Sequence, residues 1–420
     1  MNVKPLLSLC AIACCAWSTS TWAAKSEILL RHQLNGPAAE LLTQFAARFN
    51  LEEKSGVLRI ESARLDNASK QPPHLVLSGE EGLTPLLNRR DIRPLHQFMA
   101  ENGGQLNPEK FYPALRDAAD DAGGRLQSLP LAYSLPVLFY NKDAFRRVGL
   151  DPEQPPKTWW EVQKAAGALY DSGMGCPYTS SQAPWLHLEN VSTQHNEPFL
   201  TANAKGATRF SFNSMVHIKH IALLSSWVKS KYFHYFGRDD VADAKFAAAE
   251  CAMLTSDSAS YAALVRSANF QVGVGELPYY DDAYRSVQQN IVPAGAALWA
   301  VAGHQSTENR VAARFITFLL RANIQQEWVK TSGFLPMTAD AGITTIVGLN
   351  KPVVAALSPR FTERRQFAAL NLRSPDSLGG LRKIVNEELE AVWANLKPAK
   401  EALDTAVRRS NQSILDAKLR

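Results

Sequence analysis

Short apolar runs bounded by turn residues alternate along this chain with longer stretches whose apolar positions recur every three or four residues. Residues 27–32, 57–60 and 74–77 read as strands. Between the first two, residues 37–50 place Leu41, Leu42, Phe45 and Phe49 on one helical face. Residues 81–88 predict a short helix and 92–95 lead into another, while 63–74 is a polar loop. Strands and helices alternating in this way predict an α/β half with a largely parallel sheet.

The alternation resumes after the stretch 130–162, PLAYSLPVLFYNKDAFRRVGLDPEQPPKTWWEV. Pro136 opens a run of β-formers, Asn141 caps a short helix, and Gly149 stops it. Three prolines exclude helix or central strand from 150–157. Thr158 with Glu161 is a capping box that opens a helix to about residue 171. Further helices are predicted at 213–231, 242–249, 257–265, 306–320, 324–331, 381–394 and 398–419. Strands are predicted at 175–178, 252–255, 270–273 and 296–301. Ser134 stands just before the central strand, where one chain segment hands over to the next.

Length then suggests two domains, or one large bilobed one, because single cores stop growing near this size. The first 23 residues differ from the rest. Lys4, an apolar run over 5–17 and Thr21-Trp22-Ala23 make a secretory signal peptide, too short for a spanning helix. Ala11-Ile12-Ala13 before Cys14 is a poor lipoprotein signal. A formal net charge of only +5, without a Lys/Arg run, argues against a nucleic-acid footprint. Of the five cysteines, Cys176 and Cys251 lie beyond the signal segment. In an exported chain these two could pair; two buried apolar thiols are the alternative.

No catalytic constellation accompanies this layout. The chain has no Gly-x-Ser-x-Gly elbow, Walker loop or His-Glu-x-x-His motif. Gly273-Val-Gly275 lacks the third glycine of a dinucleotide fingerprint and reads as a strand exit. His217 and His220 have a spacing two metal ligands could use, but no third ligand is placed with them, so a solvated helix face is expected. Glu80 with Glu81 could be a general-base pair or a helix-dipole complement. The expected protein is an exported two-lobed α/β binding protein, not an enzyme, with no metal or cofactor.

The central stretch makes this specific. PVLFYNKDAFRRVGLDPEQPPKTW resembles the family 1 extracellular solute-binding proteins of bacterial ABC importers, and among them those that bind sn-glycerol 3-phosphate. Gly173-Met174 with Cys176, Leu188-Glu189-Asn190, HIKHIALL at 217–224, Cys251-Ala252-Met253, Gly295 to Trp299, Gly333 to Pro336 and IVNEELEAVW at 384–393 agree with it. The resemblance implies the two-lobed periplasmic binding protein fold of type II, with a ligand cleft between lobes. Lobe 1 would take 24–135 with 298–340, and lobe 2 would take 136–297 with 341–420. It implies a periplasmic monomer that carries a small-molecule ligand to membrane permease subunits. The alternative is a homologue turned to sensing or protein interaction.

Carried over position by position, Glu80 falls on a residue that binds glycerol hydroxyls and Ser134 on a crossover contact. Gly295 falls on a glycine whose N–H approaches the ligand, and Arg382 on an arginine suited to phosphate. The stripe Leu381, Ile384, Val385, Leu389 and Val392 puts Arg382 at its edge, hence at a rim. Other positions depart from the family pattern. Gln182 replaces a tryptophan, with Trp185 nearby; Asp257 replaces a serine, with Ser258 beside it; Phe334 replaces a tyrosine. A family contact tyrosine has no counterpart in the shortened segment 63–73. Each lost hydrogen bond to a charged phosphate is worth ~1.5–3 kcal/mol. Asp257 at ~4 Å would repel a phosphate by about 4 kcal/mol at an effective dielectric near 20. The departures therefore point to a glycerophosphodiester with a polar or cationic head, or a related polyol phosphate.

Overall fold

The computed structural model describes residues 25–62, 71–79, 91–121, 123–202, 208–282, 291–346, 348–349, 351–353 and 375–419. The signal segment, the helix expected at 81–88 and most of the loop at 63–73 lie outside these residues.

Two mixed sheets carry the fold. The first is built from β1 (Ser26–His32), β2 (Gly56–Ser62), β3 (Leu75–Ser78), β4 (Ile92–Arg93), β5 (Leu129–Ser134) and a strand from late in the chain, Ala294–Val301. The second is built from β6 (Pro136–Asn141), β7 (Cys176–Ser180), the two-residue Phe233–His234, Cys251–Asp257 and Val272–Glu276. A small hairpin of β8 (Leu200–Ala202) and β9 (Thr208–Phe210) stands apart. The remaining strands of the two sheets are β10 (Phe233–His234), β11 (Cys251–Asp257), β12 (Val272–Glu276) and β13 (Ala294–Val301).

Each sheet holds one reversed strand. β13 is antiparallel to β3, β4 and β5, while β1 runs parallel to β2 and β3. β6 is antiparallel to β11 and β12, while β7 runs parallel to β10 and β11. β6 and β13 are the strands with which the chain enters one sheet directly from the other, so the reversal marks the two crossovers. The parallel pairing expected for the first half holds for β1, β2 and β3, whereas β4 and β5 join the sheet through the antiparallel β13, so the sheet is mixed.

Local sequence explains many boundaries. Asn141 Oδ1 accepts from Ala144 N–H, and Gly149 takes φ +76° after the stub helix Lys142–Arg147. Thr158 and Glu161 form the reciprocal capping box of Trp159–Asp171. On Gly36–Glu52 the stripe Leu41, Leu42, Phe45 and Phe49 is buried. Its aromatic rings meet Phe315 and Phe318 of the helix Ser306–Leu319, with Phe49 and Phe315 centroids 5.2 Å apart. One core thus joins the beginning of the chain to its last third. A second large core lies on β6 and β7 and takes in Leu381, Val385, Leu389 and Val392 from Pro375–Trp393.

Cys176 and Cys251 are joined in a disulfide, facing each other in the β7–β11 ladder. Two expectations need correction. The segment predicted as helix from residue 257 begins instead with Asp257 as the last residue of β11, followed by a 3-10 turn (Ser258–Ser260) and the helix Tyr261–Ser267. Asp257 accepts from the N–H groups of Ala259 and Ser260, and an Asp side chain bonded to its own following backbone favours a turn over helix continuation.

The other correction concerns His217 and His220, which lie on no solvated face: both are fully buried. The helix Met215–Lys229 turns His220 onto the turn Trp185–Glu189, a segment with π-helical bonding that periodicity did not predict, and His217 onto Ser192 of the following turn Asn190–Gln194. Their neighbours form a directed hydrogen-bond chain. Ser180 Oγ donates to the Ser181 carbonyl, so it must accept from both Thr255 Oγ1 and His187 Nε2. His187 Nδ1 then accepts from His220 Nε2, and His220 Nδ1 accepts from the Tyr280 hydroxyl. Ser192 and Ser214 hydroxyls hold the two nitrogens of His217. Every ring nitrogen of His187, His217 and His220 is engaged with all three imidazoles neutral, which leaves none to ligate a metal.

Candidate solute-binding site

The site is assembled at the two crossovers. Ser134 ends β5, Leu135 bridges, and Pro136 starts β6. On the return, Val292 leads into β13, whose first residue, Ala294, pairs with Ser134. Ser134 Oγ donates to the Ala294 carbonyl at 3.3 Å, so the crossovers run side by side. Ser258 pins the outgoing one: its Oγ accepts from Leu135 N–H at 3.0 Å, and its own N–H donates to the Leu135 carbonyl at 2.8 Å.

Gly295 follows, with φ +154°. A Cβ there would lie 2.0 Å from the Ala132 carbonyl oxygen, so the close approach that demands glycine is to the backbone of β5. Glu80 lies outside the described residues. Gly79 before it faces the Gly295 carbonyl, its Cβ position 3.7 Å away.

Asp257 and Gln182 meet. Gln182 Nε2 donates to Asp257 Oδ2 at 3.1 Å, and Gln182 itself is held at φ +44° with its N–H on the Asp239 carbonyl. Burial, then the neighbouring Asp243, pushes the Asp257 carboxyl up to about 6. Asp243 accepts from the hydroxyls of Ser181, Ser256 and Ser260, and burial raises it too.

Gly333 ends the helix Ala322–Ser332 at φ +77° and lies against Ala259, bringing an element of the first sheet's layer onto the 3-10 turn after Asp257. Phe334 is half-buried, its ring stacked 5.8 Å from Trp328.

Trp185 is a core residue. It is 1 % exposed, and its indole N–H donates to the Val292 carbonyl at 2.9 Å. The ring therefore steadies the return crossover from behind. Asn190 completes the clamp: its Oδ1 accepts from Val292 N–H, and its Nδ2 donates to the Trp185 carbonyl.

Arg382 lies beside the buried stripe of its helix, with its side chain 19 % exposed. Its Nε and Nη2 both bind Glu189, at 2.7 and 2.9 Å, a bidentate pair. Glu189 itself is buried. The structure thus brings Ser134, Ser258, Gly295, Asp257 and Gln182 to the crossovers, with Gly333–Phe334 against the 3-10 turn. It sets Trp185 behind them and ties Arg382 in through Glu189, Asn190 and Val292. Glu189, Asn190 and Asp243 were not singled out as site residues; Glu189 and Asn190 stand in one of the resembling blocks, but nothing local gives them a role.

One other cluster could suggest a metal. His74, His304 and Glu308 converge beside the start of β3. His74 Nδ1, however, accepts from Leu29 N–H, so Nε2 keeps the proton and faces Glu308 as a donor.

With two sheets, paired crossovers and a polar site where they meet, comparison with known proteins is decisive. Residues 63–345 match the profile of the bacterial extracellular solute-binding protein family. The chain belongs to that family. It is 34% identical over 415 residues to the sn-glycerol-3-phosphate-binding periplasmic protein UgpB of Escherichia coli O6:K15:H31, covering 91% of each chain. To the UgpB of Pectobacterium atrosepticum it is 33% identical over 437 residues, covering 96% of this chain and 94% of the other. Among solved structures, UgpB from Mycobacterium tuberculosis in complex with glycerophosphocholine superposes with a TM-score of 0.69 at 18% identity, over 94% of this chain and 100% of that one. The cyclic α-maltosyl-1,6-maltose binding protein from Arthrobacter globiformis gives 0.68 at 19% identity, over 92% and 98%. This solute-binding protein therefore has the two-lobed type II fold.

Proposed function

We propose that this protein is the periplasmic receptor of an ABC importer for a small glycerol phosphate, and for a glycerophosphodiester in preference to glycerol 3-phosphate. The observation that carries this reading is the gathering of Ser134, Gly295, Ser258 and Asp257 on two adjacent crossovers, with Arg382 tied to the same point. A solute held there touches both sheets, so its binding energy falls on the closed arrangement of the lobes. The lobes in this reading are 24–135 with 298–340 and 136–297 with 341–420, and the receptor acts as a monomer that hands its ligand to permease subunits.

Ser134, Ser258 and the Gly295 backbone meet glycerol or phosphate oxygens; Glu80 and Phe334 enter this reading on the family resemblance alone. Arg382 supplies the positive charge. Asp257 with Gln182 faces the head group, where a carboxylate suits hydroxyls or an ammonium and opposes a second phosphate charge. Trp185 supports the crossover without touching the solute.

Isothermal titration of the purified protein with glycerophosphocholine, glycerophosphoethanolamine and sn-glycerol 3-phosphate tests this. A working importer needs micromolar affinity, about 8 kcal/mol. At least one diester is expected to reach it; no heat from any of the three overturns the reading.

A further inference from the structure

Asp243 stands on the short helix Val241–Ala247 and spends its carboxylate on hydroxyls. Its Oδ1 accepts from Ser181 Oγ at 2.5 Å, and its Oδ2 accepts from Ser256 Oγ at 3.1 Å and Ser260 Oγ at 2.5 Å. The three serines belong to three segments: the exit of β7, the end of β11 and the 3-10 turn Ser258–Ser260. Each adjoins a residue of the site. Ser181 precedes Gln182, Ser256 precedes Asp257, and Ser260 closes the turn that begins with Ser258. Asp257 Oδ1 ties the same turn a second time, through the N–H groups of Ala259 and Ser260. Asp257 Oδ2 accepts from the Gln182 amide, and a carboxylate oxygen keeps a second lone pair for a solute. On Asp243, the three hydroxyls stand in for the water that an ionised carboxylate needs.

We infer that Asp243 is a positioning residue for head-group recognition: it clamps the three segments that present Gln182 and Asp257, and acts on the solute through them. The inference rests on the reading of this site as a receptor for glycerophosphodiesters. Gln182 and Asp257 are positions where the chain departs from the family pattern, so the residue that holds them bears on what this chain in particular takes up. Gln182 needs holding, because its φ of +44° is disfavoured for a residue other than glycine. Asp243 also acts by charge. After burial, it is the main cause that pushes the Asp257 carboxyl up to about 6, because two neighbouring carboxylates resist ionising together. Asp240, in the turn before the helix, adds to both in the same sense. The cations of the region are already engaged, Arg238 with Glu390 and Lys245 with Glu250. β7 contributes Tyr178, its hydroxyl on Thr255, and the helix Tyr261–Ser267 contributes Tyr261, its ring on Phe139, and Arg266 in its last turn. A cationic head is therefore held while Asp257 is ionised and loosened once it takes a proton, at a pH that Asp243 helps to set.

The test is calorimetric titration of wild type, Asp243→Asn and Asp243→Ala with glycerophosphocholine at half-unit steps from pH 5 to pH 7, and with sn-glycerol 3-phosphate at pH 7. Neither charge of glycerophosphocholine titrates in that range, so its profile belongs to the protein. Wild type is expected to lose affinity as pH falls through about 6. Asp243→Asn keeps the shape and part of the hydroxyl bonding but removes the charge, so the same loss should move to lower pH by about one unit. Asp243→Ala releases the serines as well, and should weaken glycerophosphocholine about tenfold at pH 7 while sn-glycerol 3-phosphate, which has no head group, loses less. Asp243→Asn covers the case in which Asp243→Ala folds poorly, since a structural role alone would not shift a pH profile. A flat wild-type profile, an unmoved profile in Asp243→Asn, or equal losses of both compounds in Asp243→Ala overturns the inference and leaves the receptor reading intact. Binding of neither compound by wild type overturns both.

Discussion

Acid should unfold this protein through its buried histidines, and the structure sets how steeply. Burial pushes His187 and His217 down to about 3 and His195 to about 4, and drives His220 well below its ordinary value. Below pH 6.5 the unfolded chain binds a proton on each ring and the folded chain does not. Stability therefore falls as pH falls from 6.5 towards 4. Each ring contributes about 1.4 kcal/mol per pH unit, so at pH 5 each has removed about 2 kcal/mol. His187, His195 and His217 together remove about 6 kcal/mol. Asp257 works the other way: its carboxyl is raised to about 6, so by pH 5 the folded state has taken up a proton that the unfolded chain has not, returning about 1.4 kcal/mol. Glu53, held down to about 2 by hydrogen bonds to Arg314 and Ser55, matters only below its ordinary value of 4.5. The net loss from pH 7 to pH 5 is therefore at least about 4–5 kcal/mol, with His220 and His74, both lowered by burial, adding to it. Urea unfolding followed by tryptophan fluorescence at half-unit pH steps measures it. His217→Gln, whose two partners are serine hydroxyls, should flatten the slope by about one group's worth. A wild-type slope between pH 6 and 5 smaller than one histidine's share would refute the neutral-chain reasoning.

Removing the disulfide by Cys176→Ala with Cys251→Ala opens a 75-residue loop, which the loop-entropy relation values at about 4 kcal/mol of stability; urea midpoints should show the loss while ligand affinity stays. Gly295→Ala drives a Cβ to 2.0 Å from the Ala132 carbonyl, so it should lower stability by ~3 kcal/mol or more and abolish binding, checked by melting and titration. Ser258→Ala strips the partner from the buried Leu135 N–H, with an expected loss of ~1–3 kcal/mol in urea. Asp257→Asn should lower affinity for glycerophosphocholine at pH 7 and remove the weakening that wild type shows as pH falls through about 6, read by titration at pH 5, 6 and 7.

Much of this could be read along the chain because it is local. The capping box at Thr158 and Glu161, the Asn141 cap, the apolar faces of Gly36–Glu52 and Pro375–Trp393, and the crossover after Ser134 each depend on residues a few positions apart. The resemblance to the family implies a ligand contact at the same crossover. What failed was any statement about the far side of a residue. His217 and His220 look like a polar stripe on a helix; they are buried because the turns Trp185–Glu189 and Asn190–Gln194, more than twenty residues earlier, lie against them through His187 and Ser192. Asp257 looks like the first turn of a helix until β11 is seen to end on it.

Sequence alone determined the periods, the caps, the proline breaks and the family, because each follows from short-range sterics or from direct resemblance. Only the tertiary structure decided what Arg382 faces. Its partner, Glu189, stands 193 positions away, and the pairing follows from where helix Pro375–Trp393 settles on the second core. A side chain's charge can be read along the chain; whether that charge remains available to a solute depends on which distant residue the fold brings against it.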